Sequence, residues 1–126
     1  MNNRIQRWNV AELMLAVEAS KRWMVVSLPI SHNSHYDLVL DIWKILIRCQ
    51  VKRAYNVNNH WKNVLCVESR RISWWSRKEY EENSYDYLIA VDVDNNDFWI
   101  IPQIASLKYK AQIYIESSSN IQYKNR

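Results

Sequence analysis

Tyr36-Asp37-Leu38-Val39-Leu40-Asp41-Ile42-Trp43-Lys44-Ile45-Leu46-Ile47-Arg48-Cys49-Gln50-Val51-Lys52 is the stretch on which the fold turns. Its apolar residues recur in runs too short for a helix and rich in β-branched types, so Tyr36 to Ile42 and Lys44 to Tyr55 are predicted strands meeting at Trp43. In the second arm Ile47, Cys49 and Val51 alternate with Arg48, Gln50 and Lys52, which puts Gln50 and Lys52 on one face. The hairpin returns Asp37 beside them. A carboxylate, an amide oxygen and a lysine gathered in this way suit metal-assisted cleavage of a phosphodiester. The hard cation takes oxygen ligands, and the lysine orients water or offsets charge on the phosphate.

Upstream, Asn9-Val10-Ala11-Glu12 has the form of a capping box, and Leu13, Ala16, Val17 and Ser20 follow at helical spacing, predicting a helix from about residue 10 to 22. Met24 to Ile30 reads as a strand, and Ser31 to His35 as a polar turn. Downstream, 56–62 is polar loop, 63–68 a short strand, 69–76 a basic connection and 76–82 a short helix. Tyr87 to Val93 and Phe98 to Ile101 flank the turn signal Asp94-Asn95-Asn96-Asp97, 111–115 adds an edge strand, and the chain beyond Glu116 reads as frayed. The fold class is α/β (α+β), a central mixed β-sheet flanked by helices.

With 126 residues and 48% hydrophobic content, residues 1–126 suffice for one core and one domain. No apolar run is long enough to span a bilayer and the first residues are polar and basic, so the expected setting is cytoplasmic, without membrane contact. Cys49 and Cys66 lie singly in apolar strands, as buried free thiols do. A net charge of +4 raises the expectation of a polyanionic partner. Composition holds one anomaly: the chain has 0 glycines and 7 tryptophans, where average usage would give roughly nine glycines. Trp23 ends a helical pattern and Trp43 joins two strands, both positions that ask for glycine. If UGA means glycine in the source and was translated as tryptophan, Trp8, Trp23, Trp43, Trp61, Trp74 and Trp75 are glycines, while Trp99, in an apolar strand, is genuine.

Tyr36-Asp37 followed by Gln50-Val51-Lys52 resembles the PD-(D/E)XK nuclease superfamily, and within it a subgroup of intron-associated homing endonucleases. That subgroup opens with a helix glutamate after alanine, as in Ala11-Glu12, and Ser27, Pro29 and Asn33 lead to the Tyr-Asp pair. The likeness spans roughly residues 8 to 55, with a fainter echo in Tyr85-Asp86-Tyr87 and Ile101-Pro102. It implies a restriction-endonuclease-like fold and a magnesium-dependent (or manganese-dependent) endonuclease acting on double-stranded DNA. It assigns Glu12, Asp37, Gln50 and Lys52 to catalysis, with Glu12, Asp37, Gln50 and the backbone carbonyl of Val51 toward the metal. Two departures stand out. Tyr36 replaces the superfamily's proline, and Gln50 replaces its second acid, so metal affinity rests more on Glu12 and Val51.

Each residue also has a structural reading: Glu12 closes a cap, Asp37 starts a strand, Gln50 and Lys52 line a solvated face. His32 and His35 form a loop pair without a third ligand. Asp92 to Asp97 lacks the glycine of a calcium loop and reads as a hairpin turn. Arg70, Arg71, Arg77 and Lys78 are the chosen DNA-binding candidates. One small domain has one active site, so cutting both strands implies a homodimer or homotetramer. The alternatives are a Holliday-junction resolvase with the same site, and an inactive DNA-binding module of the same fold.

Overall fold

The computed structural model describes residues 3–30, 34–59, 62–68, 71–72, 77–78, 84–106, 112–115 and 121–125. Helix α1 (Asn3–Lys21) precedes a five-stranded sheet ordered β1-β2-β3-β8-β9. Its strands are β1 (Val25–Ser27), β2 (Leu38–Ile42), β3 (Ile45–Arg53), β8 (Tyr87–Asp92) and β9 (Asp97–Pro102). All neighbours are antiparallel except β3 and β8, which run parallel with Gln50 opposite Leu88 and Lys52 opposite Ala90. A parallel pair needs a long crossover. Here it contains β4 (Tyr55–Asn59) and β5 (Lys62–Glu68), which form a second sheet with β10 (Gln112–Tyr114), and a two-stranded ribbon of β6 (Arg71–Ile72) and β7 (Arg77–Lys78). The mixed sheet with a helix against it is the architecture expected.

The hairpin is where the alternation placed it. Ile42 faces Ile45 across the two-residue turn Trp43-Lys44, and Leu38 faces Cys49. Because β3 is covered on both sides, Cys49, Gln50 and Val51 are all buried, unlike the half-exposed strand its alternation suggests. One core lies between α1 and the sheet, where Ala11, Leu15 and Ala19 meet Leu38, Leu40, Cys49, Val51, Ile89, Val91 and Phe98. The other lies on the opposite face, where Leu88, Ala90, Trp99 and Ile101 meet Leu65, Val67, Ile113 and Ile115. Each fully buried side chain of this size contributes roughly 1.5–3 kcal/mol.

Several expectations are corrected. Asn9 does not cap α1, which begins at Asn3, and its inward stripe is Ala11, Leu15, Ala19 at a spacing of four, leaving Leu13 and Val17 exposed. β1 is only Val25–Ser27, ending two residues before Pro29, which has no N–H for a ladder. The predicted loop at 56–62 holds β4, which pairs with β5 because Val57 faces Val64 and Tyr55 faces Cys66. The predicted helix at 76–82 begins instead with β7, paired with β6 inside the predicted connection at 69–76. The tail is tied at 121–125: Lys124 bridges to the backbone of Trp99, pairs with Asp97 at 3.5 Å and sits 5.2 Å from the Trp99 ring centroid.

The expectations for the two cysteines and for the turn at 92–97 hold. Cys49 and Cys66 are buried and free, and burial pushes the Cys49 thiol up to about 12. Asp92 to Asp97 is a hairpin turn, with the Asn95 amide donating to the Asp92 carboxylate at 2.8 Å. Among the described residues no helix is long and apolar enough to cross a membrane. Positive φ occurs at Trp23 (66°), Trp43 (46°), Lys44 (75°) and Asn96 (56°).

Candidate active site

Just before β2 begins, the Asp37 N–H donates to the Cys49 carbonyl at 2.8 Å. That bond ties the Asp37 backbone to β3 at Cys49, which is also the cross-strand partner of Leu38. The carboxylate then accepts two hydrogen bonds on one oxygen: Oδ2 takes the Val51 N–H at 2.7 Å and the Gln50 Nε2 at 2.8 Å. Gln50 is itself buried, so its amide has been withdrawn from water and placed against the acid.

Burial pushes the Asp37 pKa up, opposed by the Val51 N–H and by the charge of Lys52. Glu12, half-buried one position beyond the inward stripe of α1, is raised to about 7 by burial and then by the charge of Asp37. The charge of Asp37 therefore opposes ionisation of Glu12. Lys52 is lowered by burial, and the charges of Asp37 and then Glu68 hold it back. A half-buried pair of acids, an amide and a desolvated amine sit at one end of the sheet.

All four residues assigned to catalysis from the sequence, Glu12, Asp37, Gln50 and Lys52, thus belong to one electrostatically coupled set. Among the described residues no group of three or more His, Cys, Asp or Glu is arranged to hold a metal. The donor set is two acids and an amide, and it suits a hard divalent ion: an added cation would favour the ionised form of Glu12 against the burial and the Asp37 charge that raise its pKa. Gln50 is placed with its NH2 toward Asp37, so ligation through its carbonyl needs the amide turned over.

Sequence reasoning passed over Glu68 and Asp86. Glu68 ends β5 and acts on Lys52 across the junction between the two sheets. Nothing in local pattern announces it, since the coupling exists only once β4 and β5 have formed their hairpin. Asp86 accepts the Arg48 backbone N–H at 2.8 Å and its Nε and terminal NH2 at 3.4 and 3.1 Å, while the Asp86 N–H donates to the Arg48 carbonyl. These contacts lock β8 beside β3 two residues from Gln50. The faint Tyr85-Asp86-Tyr87 likeness marked the place without giving the role. Of the DNA-binding candidates, Arg71, Arg77 and Lys78 fall on the β6–β7 ribbon and Arg70 lies outside the described residues, as do His32 and Asn33.

The structure is similar to that of a bacterial homing endonuclease, I-Ssp6803I, with a TM-score of 0.85 and 21% identity over 98% of this chain and 89% of that one. No curated protein matches the chain. The PD-(D/E)XK endonuclease family matches residues 3–126, essentially the whole sequence, and covers the helix and hairpin that assemble the site. By fold and by sequence, the chain belongs to the PD-(D/E)XK endonuclease family.

Proposed function

We propose that the protein is a magnesium-dependent DNA endonuclease of homing type, hydrolysing phosphodiester bonds as a homodimer or homotetramer. The observation that carries this reading is the coupling of Asp37 to Glu12, Gln50, Val51 and Lys52 at one end of the sheet. Glu12, Asp37, Gln50 and the Val51 carbonyl would hold the ion, which supplies Lewis acidity toward the phosphate and acidifies water. Lys52 sits where burial lowers its proton affinity, fitting it to orient the attacking water and to stabilise charge on the phosphate. Asp37 holds the hairpin end in register by its bond to Val51.

DNA contact is assigned to Arg70, Arg71, Arg77 and Lys78. Three of them stand on a two-stranded ribbon, a shape that a major groove admits. Self-association is supported by the edge strand β1 and the hairpin tip, where Val25, Ile45 and Leu46 are exposed apolar residues at the same end of the sheet.

The test is plasmid nicking against a magnesium titration, with Asp37→Ala and Lys52→Ala alongside. Nicking that needs magnesium and disappears in both variants supports the reading; nicking that survives both defeats it. One observation favours a second reading, an inactive DNA-binding module: Gln50 already satisfies Asp37 as a donor, which leaves the acid without need of a cation. Salt-sensitive duplex binding without cleavage at any magnesium or manganese concentration would select that reading.

A further inference from the structure

We infer that residues 23 and 43 of the natural protein are glycines, encoded by UGA codons that its source reads as glycine. The argument rests on backbone geometry, independently of the proposed activity. At the end of α1 the Trp23 N–H donates to the Ser20 carbonyl at 3.1 Å and the Met24 N–H reaches back to the Ala19 carbonyl at 3.1 Å. That pair of bonds is a Schellman motif with residue 23 at its left-handed position, where helices use glycine. Trp23 has φ 66° there. Its neighbour Met24 makes the accompanying apolar contact with the core that contains Ala19, so the motif is complete apart from the side chain at residue 23.

The second position repeats the conflict in a different structure. Ile42 and Ile45 close a two-residue hairpin turn whose residues Trp43 and Lys44 have φ 46° and 75°. Turns with positive φ at both central residues take Asn, Asp or Gly, and a bulky aromatic is an outlier there. Asn96, by contrast, is a residue type that tolerates its φ of 56°.

Side-chain burial separates these tryptophans from the genuine one. Trp23 is 95% exposed and Trp43 89% exposed, whereas Trp99 is 0% exposed at the centre of a core. The first two gain nothing from an indole and stand where a Cβ is disfavoured; the third fills space that a glycine would leave empty. A chain with 0 glycines and 7 tryptophans has the composition this substitution would produce. Trp61, Trp74 and Trp75 lie outside the described residues, and Trp8 lies within α1, so the inference stands on residues 23 and 43.

The codons at 23, 43 and 99, read with the mass of the corresponding peptides from protein isolated from its source, test this directly. The expected result is UGA with glycine at 23 and 43, and UGG with tryptophan at 99. UGG at 23 or 43, or UGA decoded there as tryptophan, would overturn it. Chemical synthesis of the gene in both versions gives a second readout: Trp23→Gly and Trp43→Gly should each raise the folding equilibrium constant by about 5–30-fold. Unchanged or lower stability in both variants would count against the assignment. Expression of the unaltered gene in a host that reads UGA as stop should yield no full-length chain, and recovery of full-length protein would overturn the proposal.

Discussion

The Gln50 side chain donates to Oδ2 of Asp37 at 2.8 Å, on the same oxygen that receives the Val51 N–H. An amide at this position does for the metal-free protein what an acid could not: it satisfies a partly buried carboxylate instead of repelling it. Gln50→Glu should therefore destabilise the metal-free protein by about 1–3 kcal/mol, through loss of the donor and a new like charge. In the proposed magnesium site the added carboxylate would be a ligand, so the ion should raise the melting temperature of the variant more than that of the parent. Thermal melts with and without magnesium check both parts, and equal magnesium shifts in the two proteins would contradict the assignment of residue 50 to the metal.

Arg48 and Asp86 brace the parallel pair of strands that carries Gln50 and Lys52. The Arg48 side-chain hydrogen bonds come first among the causes that hold Asp86 below the usual carboxylate range, and its backbone N–H adds to them. Folding thus lowers this pKa, so the unfolded chain takes up the proton first on acidification. The stabilisation is complete above the ordinary carboxylate pKa and drains away as the pH falls through the folded value. Both side chains are more than a third exposed, which screens the ion pair. Asp86→Asn should cost about 1–2 kcal/mol near neutral pH, mostly from the weaker acceptor for the Arg48 N–H, and the difference from the parent should shrink in acid. Urea melts across pH 3–7, read at about unit intervals, measure that convergence; a difference that stays constant with pH would rule out the charge of Asp86 as its source.

Local pattern carried the hairpin because its information is local. Alternation around Ile47, Cys49 and Val51 determines which residues share a face, and the turn at Trp43-Lys44 determines where the chain returns, so local pattern alone brings Asp37, Gln50 and Lys52 together. The start of α1 was not legible in this way. Asn9 and Glu12 match a cap, but a helix continues through a cap-like sequence when neighbouring residues favour it and Ala11, Leu15 and Ala19 find a sheet to pack on. β4 looks like a polar loop because Asn56, Asn58 and Asn59 dominate it, and only Val57 facing Val64 across the hairpin makes it a strand. The influence of Glu68 on Lys52 depends on that long-range pairing, so it could not be read before the pairing was known.

Glu68 offers a graded test of the electrostatics around Lys52. Burial lowers the Lys52 pKa, while Asp37 and, less strongly, Glu68 raise it. Asp37→Asn and Glu68→Gln should each lower that pKa further, with the larger drop in Asp37→Asn. NMR titration of the lysine side-chain amine in the two variants gives the order directly. A Glu68→Gln titration that coincides with the parent would mean that solvent screens Glu68 from the site.

If the proposed site holds a divalent ion, Glu12 should make its binding pH-dependent in a range where most carboxylates are already charged. With its pKa raised to about 7 by burial and by Asp37, Glu12 carries a proton over much of the range from its ordinary value of 4.5 upward, and a divalent ion must displace that proton. The sign for stability follows. Between those two values the folded chain binds more protons than the unfolded one, so this group's contribution to stability falls as the pH rises through the window. The proposed magnesium binding should have the opposite dependence, because the ion favours the ionised form: its affinity should climb by about tenfold per pH unit below 7 and level off above it, with about one proton released per ion bound. Calorimetry in buffers of different ionisation enthalpy measures both the slope and the proton. In Glu12→Gln the affinity should be lower throughout and the proton release near neutral pH should vanish; if the release persists unchanged, the proton comes from Asp37 or Lys52, and Glu12 is not the group that the ion discharges.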